Sequence, residues 1–216
     1  MPDAYLFDMD GTLIDTEVLW VEATALFFKD YGLDVPPERT RSIVYGRAWP
    51  DVHATIVAEH PPVAHLALQE MDAAMRPHFE RMRNERDVRI EPSIALLRRL
   101  AEHRPVTIVS GSHRADVAHG IEMMGLGELI PFFLGAEDYS PGKPHPACYL
   151  NAAERLAVAP EACVVFEDSA AGVSAAKAAG MYCVALQREN SAHEDVSAAD
   201  RVLSDLSAFE DHLPAL

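Results

Sequence analysis

The sequence predicts an α/β protein, a doubly wound parallel sheet of Rossmann-like architecture with a helical insertion after its first strand. From residue 87 to the end, short apolar runs alternate with helix-like segments, as is typical of strands covered by helices on both faces. Residues 15–86 have almost no strand signal, and their apolar residues follow helical spacing. We therefore expect a core of residues 1–14 and 87–216, with residues 15–86 inserted as a helical domain.

The first strand and the insert are defined by their patterns and by their breaker residues. The apolar run AYLF predicts a short buried strand that ends in a polar turn. In the insert, EVLWVEATALFFKDYG has helical spacing, and Gly32 ends it. Two further helices are predicted over PDVHATIVAEH and PPVAHLALQEMDAAMRPHFERMRNER, separated by Pro61 and Pro62.

Strands and helices then alternate from Val88 onwards. The predicted helices are PSIALLRRLAEH, RADVAHGIEMMG, HPACYLNAAERLA and AAGVSAAKAAG. The predicted strands are PVTIVS, FFLGAED, ACVVFED and YCVALQ, which are continuous apolar or β-branched runs. Because the sites of open parallel sheets lie beyond the carboxyl ends of the strands, the polar residues that follow each strand are the candidates.

Composition limits the classes of function. The 216 residues are 49% hydrophobic and 24% charged, as in ordinary globular proteins. A net charge of −16 argues against a nucleic-acid partner, which would require a basic surface. No apolar run approaches the roughly 20 residues that span a bilayer, and MPDAYLFD lacks the features of a signal peptide. We expect a cytoplasmic protein without a membrane partner, whose three widely spaced cysteines are reduced core residues.

Two pairs of acids follow predicted strands. Asp8 and Asp10, the first acidic pair, come after AYLF, and Glu167 and Asp168, the second acidic pair, come after CVVF. Like charges this close repel each other, and partial burial adds to the cost, so a positive partner is expected. Carboxylates from two strand ends form the oxygen ligand set that Mg²⁺ prefers, with room for water and a phosphate.

Two other segments suggest an anion site at the same edge. Lys143, one of three lysines in the chain, lies in the stiff loop SPGKPHP and is a candidate charge for a phosphoryl oxygen. Ser110 ends the strand VTIV beside Gly111, so its hydroxyl and the nearby amides are suited to an anion. An aspartate can attack phosphorus to form an aspartyl-phosphate, and a neighbouring acid can move the proton.

Four segments in order, DMDGT, VSGS, GKPHP and FEDSAAG, resemble the motif set of the haloacid dehalogenase superfamily. Within it the chain is similar to the β-phosphoglucomutase-like phosphatases with a helical cap, and the resemblance covers almost the whole chain. It implies that residues 15–86 are the cap. It also implies that Asp8 is the nucleophile, Asp10 the general acid and base, and Ser110 a ligand of the transferred phosphoryl group.

The resemblance implies the remaining site residues as well. Lys143 would steady both the nucleophile and the phosphoryl group. Asp168 would complete a Mg²⁺ site with Asp8 and the backbone carbonyl of Asp10, while Glu167 would contact the metal directly or through water. Arg47, in YGRAWP, matches the family's substrate-specificity loop and would grip a second anionic group.

Together these features predict a Mg²⁺-dependent phosphatase that acts on a small phosphorylated metabolite, for example a sugar phosphate, as a monomer. One alternative is a sugar phosphate mutase, which two features disfavour. Related proteins often carry a histidine in the first cap segment, where this chain has VLW, and the mutase loop has an asparagine after its motif serine, where this chain has SGSHR with Arg114. A second alternative is a non-catalytic module that binds a phosphometabolite.

Structural roles compete with each site assignment. The first acidic pair also suits a solvated turn, because Asp and Gly both favour turns. Ser110 would equally cap a helix near His113, and the second acidic pair would cap the helix that follows it. Lys143 would then be a surface lysine, and Arg47 a solvated loop arginine.

Overall fold

The computed structural model describes residues 2–45, 47, 49–189 and 194–209. The chain divides into two compact units. Met1–Ile14 and Arg89–Leu216 form one of them, which we call the core unit, and Asp15–Val88 form the other, the helical unit.

A six-stranded parallel sheet forms the centre of the core unit, in the order β3-β2-β1-β4-β5-β6. This arrangement confirms the predicted fold class. At the centre of the sheet, Phe7 of β1 is in register with Ile108 of β2 and Phe166 of β4, so these three strands end close together. The strands are β1 (Ala4–Phe7), β2 (Val106–Val109), β3 (Phe133–Leu134), β4 (Cys163–Glu167), β5 (Tyr182–Leu186) and β6 (Arg201–Leu203).

The strands are buried because helices accompany them in the core unit. Every residue of β1, β2 and β4 is buried, which explains why these strands are continuous apolar runs. All three cysteines are free and buried, as expected. Five strands coincide with predicted ones, whereas β6 was not predicted. The helices are α5 (Glu91–Ala101), α6 (Arg114–Met123), α7 (Ala147–Leu156) and α8 (Ala170–Ala178).

The helical unit has its own apolar core, built around Phe27, Phe28, Ile56 and Met75. The segment predicted to be helical from Pro61 instead begins with a short 3₁₀ turn, and its α-helix starts at Leu68. Nowhere in the described part of the chain is a helix both long and apolar enough to cross a membrane. The helices are α1 (Glu17–Asp30), α2 (Pro37–Val44), α3 (Trp49–Glu59) and α4 (Leu68–Glu85).

Candidate active site

The first acidic pair lies in a tight turn at the end of β1. The N–H of Asp8 donates to the carbonyl of Phe166 (2.9 Å), which extends the pairing of β1 with β4 by one residue. The turn then folds back, because the amides of Leu13 and Ile14 both donate to the carbonyl of Met9. Asp8 is 7% exposed. The turn therefore holds its carboxylate in a nearly dry position.

Gly11 allows the second acidic pair to approach this turn. Its φ is +87°, in the left-handed region that side chains rarely adopt. A Cβ at this position would lie 1.9 Å from Asp168 Oδ2. The hydroxyl of Thr12 in the same turn donates to Asp168 Oδ1 (3.3 Å). Asp168 is thus held directly against the end of β1.

Lys143 brings the two acidic pairs together. Its Nζ donates to Asp8 Oδ1 (2.6 Å), to Glu167 Oε1 (2.6 Å) and to the carbonyl of Val109 (3.2 Å). An ammonium has three protons, so these contacts use all of them. Burial opposes its charge, but the attraction of Asp8 and Glu167 raises the pKa of Lys143 well above its usual value. Its side chain is 11% exposed, so Lys143 is a largely inaccessible cation and not a surface lysine.

Glu167 is fixed from several directions. It is fully buried, and Oε1 accepts from Tyr149 Oη (2.7 Å) as well as from Lys143. Oε2 accepts from the amides of Asp168 and Ser169 and from the Ser169 hydroxyl, at 3.0 to 3.1 Å. Burial alone would raise the pKa of Glu167, but Lys143 and these hydrogen bonds lower it overall. The cap of α8 is Ser169, whose hydroxyl accepts from the Gly172 amide.

Asp10 faces the loop after β2. Ser112 Oγ donates to Asp10 Oδ2 (2.7 Å), and Ser110 Oγ donates to the same oxygen (3.2 Å). Ser110 is buried, and its Oγ accepts from the amide of Ser112 (3.0 Å). Helix α6 begins beyond it, at Arg114, without a side-chain cap. Ser110 and Gly111 therefore border the acidic site, and Ser110 does not cap α6.

A second loop supports the Ser110 segment. The carboxylate of Glu137 accepts from the Arg114 amide (2.8 Å), and Asp138 accepts from the Arg114 guanidinium (2.6 Å). Tyr139 Oη donates to the carbonyl of Ser110 (2.8 Å). A Cβ at Gly135 would lie 2.7 Å from Arg114 Cα. The two loops are thus packed closely enough to fix the backbone around Ser110.

Arg47 belongs to the helical unit, where its guanidinium contacts that unit's own groups. It donates to the carbonyls of Ile43 (3.3 Å) and Asp51 (3.4 Å) and to Thr55 Oγ1 (3.0 Å). These contacts order the side chain between the end of α2 and the start of α3. They neither require nor oppose a role in substrate binding, which stays a prediction.

Comparison with known proteins identifies the family. The sequence profile of the haloacid dehalogenase-like hydrolases matches residues 5–186. The chain belongs to this family. This result confirms the resemblance inferred from the four motifs, and it makes the chain a member of a hydrolase family.

Individual members of the family are similar over nearly the full length. Validoxylamine A 7′-phosphate phosphatase of Streptomyces hygroscopicus subsp. limoneus is 33% identical, with 94% of this chain and 93% of the relative covered. Fructose-1-phosphate phosphatase YqaB of Escherichia coli is 28% identical, with 83% and 93% covered. The crystal structure of CbbY from Rhodobacter sphaeroides in complex with phosphate has a TM-score of 0.78 and 26% identity, with 96% of each chain covered.

The donor set in this haloacid dehalogenase-like site fits a divalent cation. One oxygen each of Asp8, Glu167 and Asp168 lies within 4.8 Å of the others. With Asp10, the site contains four carboxylates, and the described contacts supply one ammonium, that of Lys143. Burial is the main reason that the pKa of Asp8 is raised well above its usual value, and Lys143 only partly offsets it. Hard oxygen donors that need further positive charge suit Mg²⁺.

Sequence reasoning overlooked two residues of the site. Ser112 lies in the VSGS segment, and its hydroxyl makes the shorter of the two serine contacts with Asp10. Tyr149 lies inside an amphipathic helix pattern, in which a buried tyrosine resembles any other core residue. Its proximity to Glu167 depends on how α7 packs against the sheet and beside α8, and no local pattern gives that information.

Proposed function

We propose that the protein is a Mg²⁺-dependent phosphatase that hydrolyses a phosphate monoester of a small metabolite, such as a sugar phosphate. The observation that carries this proposal is the convergence of Asp8, Lys143 and Asp168 at the end of β1. Two relatives support the substrate class, since their names specify validoxylamine A 7′-phosphate and fructose 1-phosphate.

In the proposed reaction, Asp8 is the nucleophile. One carboxylate oxygen attacks phosphorus, the bond from phosphorus to the ester oxygen breaks, and an aspartyl-phosphate forms on Asp8. Lys143 holds the attacking side chain in place through its 2.6 Å contact. Since all three ammonium protons already have acceptors, its main role is to orient Asp8 and to keep it ionised.

Asp10 moves the proton. It gives a proton to the departing ester oxygen, and it later takes one from the water that attacks the aspartyl-phosphate. That water's oxygen bonds to phosphorus, inorganic phosphate leaves, and the Asp8 carboxylate is restored. The hydroxyls of Ser110 and Ser112 hold the Asp10 carboxylate from one side. We expect the Ser110 hydroxyl to turn to a phosphoryl oxygen when substrate binds, with the amide of Gly111 as a second donor.

The metal would be held by Asp8, Asp168 and the backbone carbonyl of Asp10. Bound Mg²⁺ supplies positive charge that stabilises the phosphoryl oxygens. Glu167 would contribute through water, because its two oxygens already accept five hydrogen bonds. We further propose that the helical unit is the cap that selects the substrate, with Arg47 available to a second anionic group.

The contacts of Arg114 support hydrolysis over the mutase reaction. A mutase has to hold a second phosphate group of its bisphosphorylated intermediate. Here the basic side chains that follow Ser112 already contact carboxylates, Arg114 with Asp138 (2.6 Å) and His113 with Glu137 (3.1 Å). A second phosphate held at this loop would have to displace these carboxylates, so this loop does not favour the mutase reaction.

Phosphate release from a panel of phosphorylated metabolites tests the proposal. We expect turnover of at least one monoester with Mg²⁺, loss of turnover with a chelator, and recovery when Mg²⁺ is restored. Asp8→Asn protein, purified in parallel, gives the background rate. Sugar phosphate interconversion without phosphate release would indicate the mutase. Binding of a monoester without any turnover would indicate the non-catalytic module, and either result would overturn the proposal.

A further inference from the structure

Tyr149 is a buried side chain beside the candidate site that the proposed reaction does not use. It lies in α7, it is fully buried, and its hydroxyl donates to Glu167 Oε1 (2.7 Å). The same oxygen accepts from Lys143 Nζ (2.6 Å). The Tyr149 ring centre lies 5.2 Å from that Nζ, within the range of a cation–π contact. Tyr149 therefore contacts both members of the Glu167–Lys143 ion pair.

The other side of Glu167 is equally constrained. Oε2 accepts three hydrogen bonds from Asp168 and Ser169, which directly precede α8, and a Cβ at Gly172 would lie 1.7 Å from Oε1 and 2.2 Å from Oε2. The carboxylate is thus fixed in one orientation, with Oε1 facing Lys143 and Tyr149. Because Glu167 cannot turn away, the partners of Oε1 decide how strongly this carboxylate attracts the ammonium.

The ammonium of Lys143 is shared equally between two carboxylates. Its distances to Asp8 Oδ1 and to Glu167 Oε1 are both 2.6 Å. A hydrogen bond donated to one of two carboxylates that share a cation reduces the negative charge which that carboxylate presents to the cation. The hydroxyl of Tyr149 satisfies part of the charge on Oε1, so Glu167 draws Lys143 less strongly and the contact with Asp8 is kept.

We propose that Tyr149 is a positioning residue, one that acts through Glu167 to hold the Lys143 ammonium against Asp8. This inference rests on the proposed function, in which Asp8 is the nucleophile. Without the hydroxyl, Oε1 has the ammonium as its sole strong donor, Lys143 moves towards Glu167, and Asp8 loses the cation that orients it.

The kinetic test compares Tyr149→Phe with Tyr182→Phe. Tyr182 begins β5 at the amino end of the strand, opposite the site edge of the sheet, so its variant controls for the loss of a tyrosine hydroxyl. We expect Tyr149→Phe to lower kcat about tenfold, with KM and the Mg²⁺ requirement nearly unchanged. We expect Tyr182→Phe to keep the parent kcat. The melting temperature of Tyr149→Phe should fall by no more than about 4 °C.

A spectroscopic test follows Lys143 itself without any turnover. The chain has three lysines, Lys29, Lys143 and Lys177, so ¹⁵N-lysine labelling gives at most three side-chain signals. A buried, hydrogen-bonded ammonium exchanges its protons slowly and gives the persistent signal. In Tyr149→Phe we expect that signal to shift or broaden, while the signals of Lys29 and Lys177 stay in place.

Ser169→Ala separates positioning from stability. Its hydroxyl donates to Glu167 Oε2, the oxygen that Lys143 does not contact, and it also caps α8. We expect this variant to lose more thermal stability than Tyr149→Phe and to leave the Lys143 signal in place. If Tyr149→Phe proves poorly soluble, Ser169→Ala still tests the proposed path through Oε1, since a displaced Lys143 signal in this variant would contradict it.

Several results would overturn the inference. An unmoved Lys143 signal in a folded Tyr149→Phe protein would show that the hydroxyl does not place the ammonium. A moved signal with unchanged kcat would show that the placement has no catalytic effect. If no ester is hydrolysed by the parent protein, the proposed function fails, and the lysine spectrum alone then decides whether Tyr149 positions Lys143.

Discussion

Asp8 and Glu167 are two buried carboxylates that share one ammonium, yet their surroundings differ. Within the described part of the chain, the Asp8 carboxylate accepts a hydrogen bond from Lys143 alone, whereas Glu167 accepts five. The pKa values move in opposite directions. Burial, only partly offset by Lys143, raises the pKa of Asp8, whereas for Glu167 the effect of burial is outweighed by Lys143 and the other donors, and the pKa falls.

In the reaction that we propose, this difference separates a reactive carboxylate, Asp8, from a structural one, Glu167. A carboxylate with five donors is stable as an anion and has little capacity for a new partner. A carboxylate with one donor in a dry site keeps open positions and requires further positive charge. The same chemical group would therefore act as the nucleophile at the end of β1 and as a structural support at the end of β4.

The largest expected effect comes from Asp8→Asn. The amide keeps the shape of the side chain and cannot act as the nucleophile, so we expect kcat to fall at least about a thousandfold. The fold should persist, because Lys143 retains Glu167 and the Val109 carbonyl. Phosphate release and circular dichroism measure the two properties.

Asp34→Asn, in an exposed loop of the helical unit, serves as the matched control and should keep the parent rate. If Asp8→Asn retained more than a trace of turnover, the nucleophile would be another residue.

Next in size is the contrast within the second acidic pair. We expect Asp168→Asn to lower Mg²⁺ affinity about a hundredfold with little change in stability, since Asp168 is a proposed metal ligand. We expect Glu167→Gln to lower the free energy of unfolding by about 3 kcal/mol, since it breaks a buried ion pair. Calorimetry with Mg²⁺ and urea denaturation measure these properties. If Glu167→Gln lowered Mg²⁺ affinity and Asp168→Asn lowered stability, Glu167 would be the metal ligand and Asp168 the structural residue.

Gly11→Ala tests whether Mg²⁺ binding depends on the close packing of Asp168 against the turn after β1. Its Cβ would lie 1.9 Å from Asp168 Oδ2, so Asp168 has to move and Mg²⁺ binding should weaken. Gly180 also has positive φ, and a Cβ there would meet nothing within 4 Å. Gly180→Ala therefore measures backbone strain alone, about 1 kcal/mol. Equal losses of stability and Mg²⁺ affinity in both variants would mean that the approach of Asp168 is unimportant.

The sequence allowed the strand ends to be located better than the contacts made there. Runs such as AYLF and CVVF indicate buried strands, and their order places the acids that follow at one edge of the sheet. β6 was overlooked because it is a three-residue edge strand that is not fully buried and lacks an apolar run. Two partners of Glu167, Tyr149 of α7 and Lys143, come from other segments of the chain, and residues brought together only by packing leave no local pattern.

The smallest expected effect concerns Ser112, which donates to Asp10 Oδ2 at 2.7 Å. Ser110 donates to the same oxygen at 3.2 Å, so Ser112→Ala removes one of the two serine contacts and Asp10 keeps the other. We expect kcat to fall about fivefold, with no measurable loss of stability. Ser174→Ala is the control, because the exposed Ser174 hydroxyl donates only to the carbonyl of Ala170 in the same helix, α8, among the described contacts. A loss as large as that of Asp8→Asn would mean that Ser112 contacts the reacting phosphoryl group directly, and the two hydroxyls at Asp10 would then no longer be equivalent supports.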